Sequence, residues 1–333
     1  MTIYSTIWSD VPGLAGEVTV VDWRQIGWRG VTRAMNRSGP DDVWIINGAL
    51  GFPALWRDMM SATALRLVGR GGKLVVSDAT WEPRSERGES RAGWLWSAND
   101  RMTRAMVRNL AGDRTVFCFL STEEVGRFHS DLGARCGRAV YTPFFVTAPH
   151  SLLTAGPAAG RRQAAPYVFT GGNTLRDWDL LTEALGDCGV EVRVATRHTS
   201  RRWPANFRVG PLPREDFFEA AARATAGVLT LRSDVVRSAG QQTYLNLLRL
   251  GVPVIVNDAP GVRDHLDRMP GAFVTGSAAA EEIRERVLWL CDEANDTAVA
   301  TLVARGRVLI DADFSEGAYL SRLATVAREL QLS

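Results

Sequence analysis

A chain of 333 residues is long for one hydrophobic core and is expected to divide into two domains of about 150 residues each. Its 46% hydrophobic and 23% charged content is that of a globular protein, which excludes a collagenous or low-complexity chain. The net charge of +2 gives no ground for a nucleic-acid partner. Lys73 is the only lysine among 39 basic residues; the planar fork of the many arginines suits phosphate. Residues 1–5 carry neither a basic nor an apolar leader pattern, and no run of 18 apolar residues occurs, so a cytoplasmic protein is expected. Cys118, Cys136, Cys188 and Cys291 form no close pair and are expected reduced and mostly buried.

In chain order, strand-length apolar runs stand at 2–8, 18–21, 43–46, 74–76 and 116–120, with helical segments at 55–68 and 101–110. Continuous apolar strands alternating with helices indicate a parallel sheet covered on both faces. After the apolar run 141–146, residues 147–166 are rich in Ala, Gly and Pro, lack periodicity and are expected to form a linker. A second series follows, with strands at 167–170, 190–195, 207–209, 228–231, 252–256 and 272–274. A helix bearing Trp178, Leu181 and Leu185 on one face and helices at 214–224, 239–250, 279–292 and 319–330 complete it. No period of 20–50 residues links the halves, so the chain is not a repeat protein.

Residues 226–258 are the most informative stretch. A buried strand runs into a polar loop, and a helix opens at Ser238-Ala239-Gly240. Gly251 ends that helix, Pro253 prevents its continuation, and an apolar strand follows at once. Such a strand–loop–helix start brings backbone N–H groups and the helix dipole to an anion. The pattern resembles the donor-nucleotide segment of GT-B glycosyltransferases, specifically the retaining family-four-like group. Gly251-Val252-Pro253-Val254-Ile255 matches the end of that segment. Counting back from it puts Ser238 and Asn246 where the family has its two glutamates.

The resemblance implies an α/β protein of two Rossmann-like α/β/α domains, their parallel sheets facing across a cleft. Residues 1–150 would bind the acceptor, 151–166 would link, 167–315 would bind the nucleotide sugar, and 316–333 would cross back to the first domain. The implied activity is transfer of a sugar from a nucleotide-diphosphate donor to a saccharide, natural-product or lipid-linked acceptor with retention. It implies no cofactor beyond the nucleotide sugar as co-substrate, no metal, and membrane contact that is at most peripheral.

Individual residues follow from motif positions. Gly171 and Gly172 let backbone approach a ligand, and Arg176 stands where the family carries a basic residue on the diphosphate. The alternative is a tight turn with Asn173 or Thr174 as N-cap. Ser238, Gly240, Gln241, Gln242, Thr243 and Asn246 are the further donor candidates: helix-start amides for phosphate, Ser238 and Gln241 for sugar hydroxyls, Asn246 for ribose. Ser238 as a plain N-cap and Asn246 as a solvated helix residue stay open. Arg197, with His198, Arg201 and Arg202, follows the strand 190–195 on the ligand side of an open sheet or forms a solvated loop. Leu212 lies in the segment 209–214 that in the family frames the nucleobase.

In the first half, Asp10 and Gly13 sit in a glycine-bearing loop after the first strand, facing the acceptor by resemblance. Asp78, Trp81 and Glu82 end another strand; Asp78 would bind an acceptor hydroxyl or act as general base. Eight of the eleven tryptophans fall in residues 1–100; Trp44 is expected in the core, whereas Trp81, Trp94 and Trp96 are cleft candidates. Arg101, Arg104 and Arg108 form one helical stripe and Met102, Met106 and Leu110 another, the pattern of a core-packed helix or of a basic amphipathic one. Two other classes stay open: an epimerase or hydrolase of the same fold using Asp78, Glu82 or Asp10, and a sugar-nucleotide-binding partner without turnover.

Overall fold

In a computed structural model of the chain, the described residues are 2–7, 18–48, 57–79, 93–133, 137–153 and 165–332. They fall into two compact units, residues 1–143 with 317–333, and residues 144–316.

Unit 1 contains, in chain order, β1 (Ile3–Ser5), β2 (Val18–Val20), α1 (Trp23–Arg37, kinked at Gly27), β3 (Val43–Asn47) and α2 (Arg57–Leu67). It continues with β4 (Lys73–Ser77), α3 (Gly93–Leu110), β5 (Thr115–Phe119), α4 (Thr122–Leu132) and β6 (Arg138–Tyr141). Unit 2 contains β7 (Tyr167–Gly171), α5 (Trp178–Leu185), β8 (Glu191–Ala195), β9 (Phe207–Gly210), α6 (Arg214–Ala222) and β10 (Ala226–Leu229). It ends with α7 (Gln241–Arg249), β11 (Val254–Asn257), α8 (Val262–Leu266), β12 (Ala272–Thr275), α9 (Ala280–Cys291) and α10 (Asp296–Asp313). The final α11 (Glu316–Leu332) belongs almost wholly to unit 1.

Both sheets have six strands and every pairing is parallel, in the orders β2-β1-β3-β4-β5-β6 and β12-β11-β10-β7-β8-β9. Helices on both faces explain the unbroken apolar strands: β5, β7, β10 and β11 are buried at every position. Trp44 lies in the core of unit 1, donating Nε1–H to Ser38 Oγ at 3.0 Å and stacking on Tyr4 at 4.7 Å. Burial pushes the Cys118 thiol up to about 12, while Cys188 and Cys291 are half-buried. No described helix is long and apolar enough to cross a membrane.

Three features differ from the sequence expectation. The last strand of unit 1 is 138–141, and the apolar run 142–146 beyond it is not strand. The chain leaves unit 1 at Pro143, earlier than its composition suggests, because residues 144–153 pack on unit 2. There Val146 N donates to Phe314 O at 2.9 Å and Arg307 Nη2 to Leu153 O at 2.8 Å. Finally, the sequence expectation held no counterpart for α1, α4, α8 and α10. For α4 a signal did exist, since Ser121 Oγ accepts from Glu124 N at 3.1 Å in a capping box.

The only lysine has a local task. Lys73 Nζ donates to Leu330 O at 2.9 Å and Gln331 O at 3.1 Å, closing the carboxyl end of α11 with a cation. Arg138 pairs with Glu329 on the same helix.

Candidate functional site

Unit 2 has the strand order in which β7 starts the sheet at its centre, β8 and β9 grow to one side, and β10 to β12 to the other. The connections leaving β7 and β10 therefore diverge, and open α/β sheets bind ligands in the crevice at such a switch point. The two loops meet there. Arg176 and Leu231 form an isolated antiparallel bridge, and Asp177 N donates to Thr230 O at 2.9 Å.

Arg176 lies where these two loops meet. Its Nε–H donates to Gly171 O at 2.9 Å, Nη1 to Thr174 O at 2.9 Å and Nη2 to Thr243 Oγ1 at 3.4 Å. Among the described residues no carboxylate pairs with it. Burial pushes the guanidinium down to about 10, which leaves it cationic at neutral pH. These contacts do not use all its N–H groups, so the fork is aimed yet retains donors for an anion. Gly172 makes the geometry possible. Its φ is +110°, and a Cβ there would collide with the Arg176 guanidinium. Neither Asn173 nor Thr174 caps α5; Asp177 does, accepting from Leu180 N at 2.9 Å. Asn173 Oδ1 instead accepts from Thr196 Oγ1 at 3.0 Å and Arg197 N at 2.8 Å, joining the loops after β7 and β8.

The start of α7 forms the opposite side. Gly240 is its N-cap in the left-handed region (φ +74°) and provides no side-chain cap. Thr243 N and Tyr244 N turn back to Gly240 O at 2.8 and 3.1 Å. The helix thus opens at Gln241, later than the Ser238 expected from sequence, and Ser238 is not its N-cap. Ser238 is 5% exposed and its Oγ has no hydrogen-bond partner among the described residues. A hydroxyl withdrawn from water without a partner carries a desolvation cost.

Two donor candidates have other tasks. Asn246 is 4% exposed, so it is not a solvated helix residue. Nor is its amide free for ribose: Oδ1 accepts from Thr147 N at 2.7 Å and Ala148 N at 2.8 Å, and Nδ2 donates to Thr147 Oγ1 at 3.2 Å. Gln241 turns inward likewise. Its Oε1 accepts from Phe144 N at 2.9 Å, and its amide nitrogen meets His265, which Tyr244 Oη contacts at 2.7 Å. Both side chains hold residues 144–148 on unit 2; only the Gln241 backbone stays at the helix start.

A depression of about 360 Å³ opens beside α7, lined by Arg214, Phe217, Phe218, Gln242, Thr243, Thr147 and Asn246. Gln242 is exposed here, and Leu212 is exposed at 41% in the loop between β9 and α6. Arg197 extends from the carboxyl end of β8 with an exposed side chain. Arg201 does not join it, since Arg201 Nη2 bonds Asp179 Oδ1 at 2.6 Å on α5. Sequence reasoning missed Asn257. Fully buried, it accepts from Leu231 N at 2.6 Å and donates to Leu231 O at 2.8 Å and Ser277 O at 3.0 Å, fixing the loop after β10. Its signal was an amide ending an apolar strand.

In unit 1, Asp78 ends β4 with φ +48°, a left-handed conformation that Asp tolerates better than most residues. Its charge and, chiefly, burial raise the pKa of Tyr319. Asp10, Gly13, Trp81 and Glu82 lie outside the described residues, as do the side chains of Trp94 and Trp96. Among the described residues no cluster of three His, Cys, Asp or Glu could hold a metal ion.

No protein-family model matches the sequence, and no curated protein matches it. Solved structures do match. Sucrose-phosphate synthase from Thermosynechococcus elongatus superposes with a TM-score of 0.65 at 14% identity, over 91% of this chain and 77% of that one. Anabaena Alr3699/HepE, solved in complex with UDP-glucose, gives 0.64 at 13% identity over 99% and 100% of the two chains. A UDP-forming α,α-trehalose-phosphate synthase from Burkholderia xenovorans, solved in complex with glucose-6-phosphate, gives 0.59 at 12% identity over 99% of each.

The fold is GT-B. Identity this low establishes the GT-B architecture and leaves activity to the residues themselves. The two six-stranded parallel sheets are its Rossmann-like halves.

Proposed function

We propose that the chain is a glycosyltransferase that takes its sugar from a nucleotide-diphosphate donor bound by unit 2. The observation that carries this reading is Arg176, an aimed cation without a carboxylate partner among the described residues, at the switch point and in contact with the first turn of α7. A diphosphate supplies the missing counter-charge, and the α7 amino terminus adds N–H groups and dipole. The unpartnered Ser238 hydroxyl fits a hydroxyl of the transferred sugar. Leu212 and the exposed turn around it are assigned to the nucleobase, and Arg197 to the outer phosphate or ribose.

As the glycosidic bond to the diphosphate breaks, negative charge grows on the leaving oxygen. Arg176 and the α7 amides would stabilise that charge more in the transition state than in the ground state. The resemblance adds transfer with retention and without a cofactor to this reading. Asp78 is the described carboxylate we assign to the acceptor. A binding protein without turnover is the second reading, favoured by Asn246, whose polar atoms are committed to residues 147 and 148.

The test is thermal unfolding with UDP, GDP, ADP and dTDP. Ligand at about a hundred times its dissociation constant adds roughly 2.7 kcal/mol of stability. If none of the four moves the melting curve at millimolar concentration, the donor site is not here. Turnover of the stabilising nucleotide's sugar, with and without acceptor, then separates transferase, hydrolase and silent binder.

A further inference from the structure

We propose that the outward face of α1, α2 and α3 docks on an anionic lipid bilayer. The surface is independent of the donor crevice and lies wholly in unit 1.

Helix α2 carries the central feature. Its inner positions Met59, Ala62 and Leu65 are buried in the core, as a surface helix requires. Its outer positions repeat at the same spacing but are not polar: Met60 is 52% exposed, Ala64 is exposed, and Leu67 is 70% exposed, followed by Val68 at 66%. A helix apolar on both faces normally has both covered. Among the described residues, nothing covers the outer one.

The flanks identify the cover. Helices α1 and α3 both pack against α2. On α1 the outward positions are Arg29, Arg33 and Arg37, spaced four apart, and the helix contains no acidic residue. On α3 the outward positions include Arg101 and Arg108, and residues 101–110 contain no acid. Arg33, Arg37, Arg101 and Arg108 have no acidic partner among the described residues. An apolar strip thus runs between two rows of arginine. Long Met and Leu side chains enter the headgroup boundary while guanidinium groups stay at lipid phosphates. Trp28, 58% exposed at the foot of α1, has the amphipathic ring favoured at that depth. An acidic protein surface would satisfy the arginines but not the apolar strip between them.

The test is co-sedimentation of the full chain with vesicles of phosphatidylcholine alone and of phosphatidylcholine mixed with phosphatidylglycerol. Pelleting is expected only with the mixed vesicles and should weaken as salt rises. Arg33→Gln and Arg37→Gln should each lower the partition coefficient about fivefold. Met60→Ser with Leu67→Ser, which leaves the charge unchanged, should lower it about tenfold or more. Arg305→Gln, on an exposed face of α10, should change nothing. All these positions face water, so unaltered melting curves will show that the variants fold. Equal pelleting with both vesicle types overturns the proposal, as does a double serine variant that pellets like the wild type. No pelleting with either also overturns it.

Discussion

Gly172 and Arg176 share one volume: the guanidinium of Arg176 lies where a Cβ on residue 172 would stand. Gly172→Ala must therefore move the guanidinium and also hold alanine at φ +110°. The backbone strain alone costs about 1–3 kcal/mol. Chemical denaturation should show that loss, and calorimetric titration with nucleoside diphosphate should show weaker binding. Full stability with full binding would mean that the loop after β7 is not held as described.

Arg176→Ala removes the cation and also the ties to Gly171 and Thr174. Titration should show a far larger loss of affinity for a nucleoside diphosphate than for the matching nucleoside, because only the former carries the charge. Arg176→Lys should not restore it fully, since a lysine ammonium cannot make the forked contacts. Equal losses for diphosphate and nucleoside would assign Arg176 to structure.

Ser238→Ala separates binding from stability. The hydroxyl is buried without a partner, so its removal should leave the melting temperature unchanged or slightly raised. Donor affinity should fall by about 0.5–1.5 kcal/mol, the net worth of a neutral hydrogen bond. A destabilised variant that binds donor normally would place Ser238 in the core alone.

Asn246→Ala should do the reverse. It strips the acceptor from the amides of Thr147 and Ala148, and an orphaned buried donor costs about 1–3 kcal/mol. Asn246→Asp keeps an acceptor for both amides and should unfold later than the alanine variant. Nucleoside diphosphate affinity should change little in either. Normal stability with lost donor binding would return Asn246 to the ligand.

Cys118 provides a pH test. Its folded pKa, about 12, lies above the ordinary 9.0 because burial opposes the thiolate. A raised folded pKa means that the unfolded chain releases the proton first. This contribution to stability is therefore complete below about 9 and is lost as pH climbs towards 12. Peptide mapping after iodoacetamide treatment at pH 8 should find Cys118 unmodified in the native protein and alkylated after denaturation. Modification at equal rates in both states would contradict its burial.

The sequence by itself determined the two α/β halves. Apolar runs such as 43–46, 116–120 and 252–256 are the residues that a doubly covered parallel strand requires, and they are local signals. It also marked the loops after β7 and β10, which meet in the fold, because Gly171-Gly172 and the Gly240 helix start are backbone features tied to glycine. It did not determine what the polar side chains do. Ser238 and Asn246 have equal standing as neutral residues in a motif, yet one hydroxyl is left without a partner and the other amide clasps residues 147 and 148, 98 or more positions away in the chain. Arg176 is one arginine among many until the fold half-buries it and, among the described residues, gives it no acid. A hydrogen-bond partner far along the chain, and the burial that makes it necessary, exist only once the strands are ordered in space.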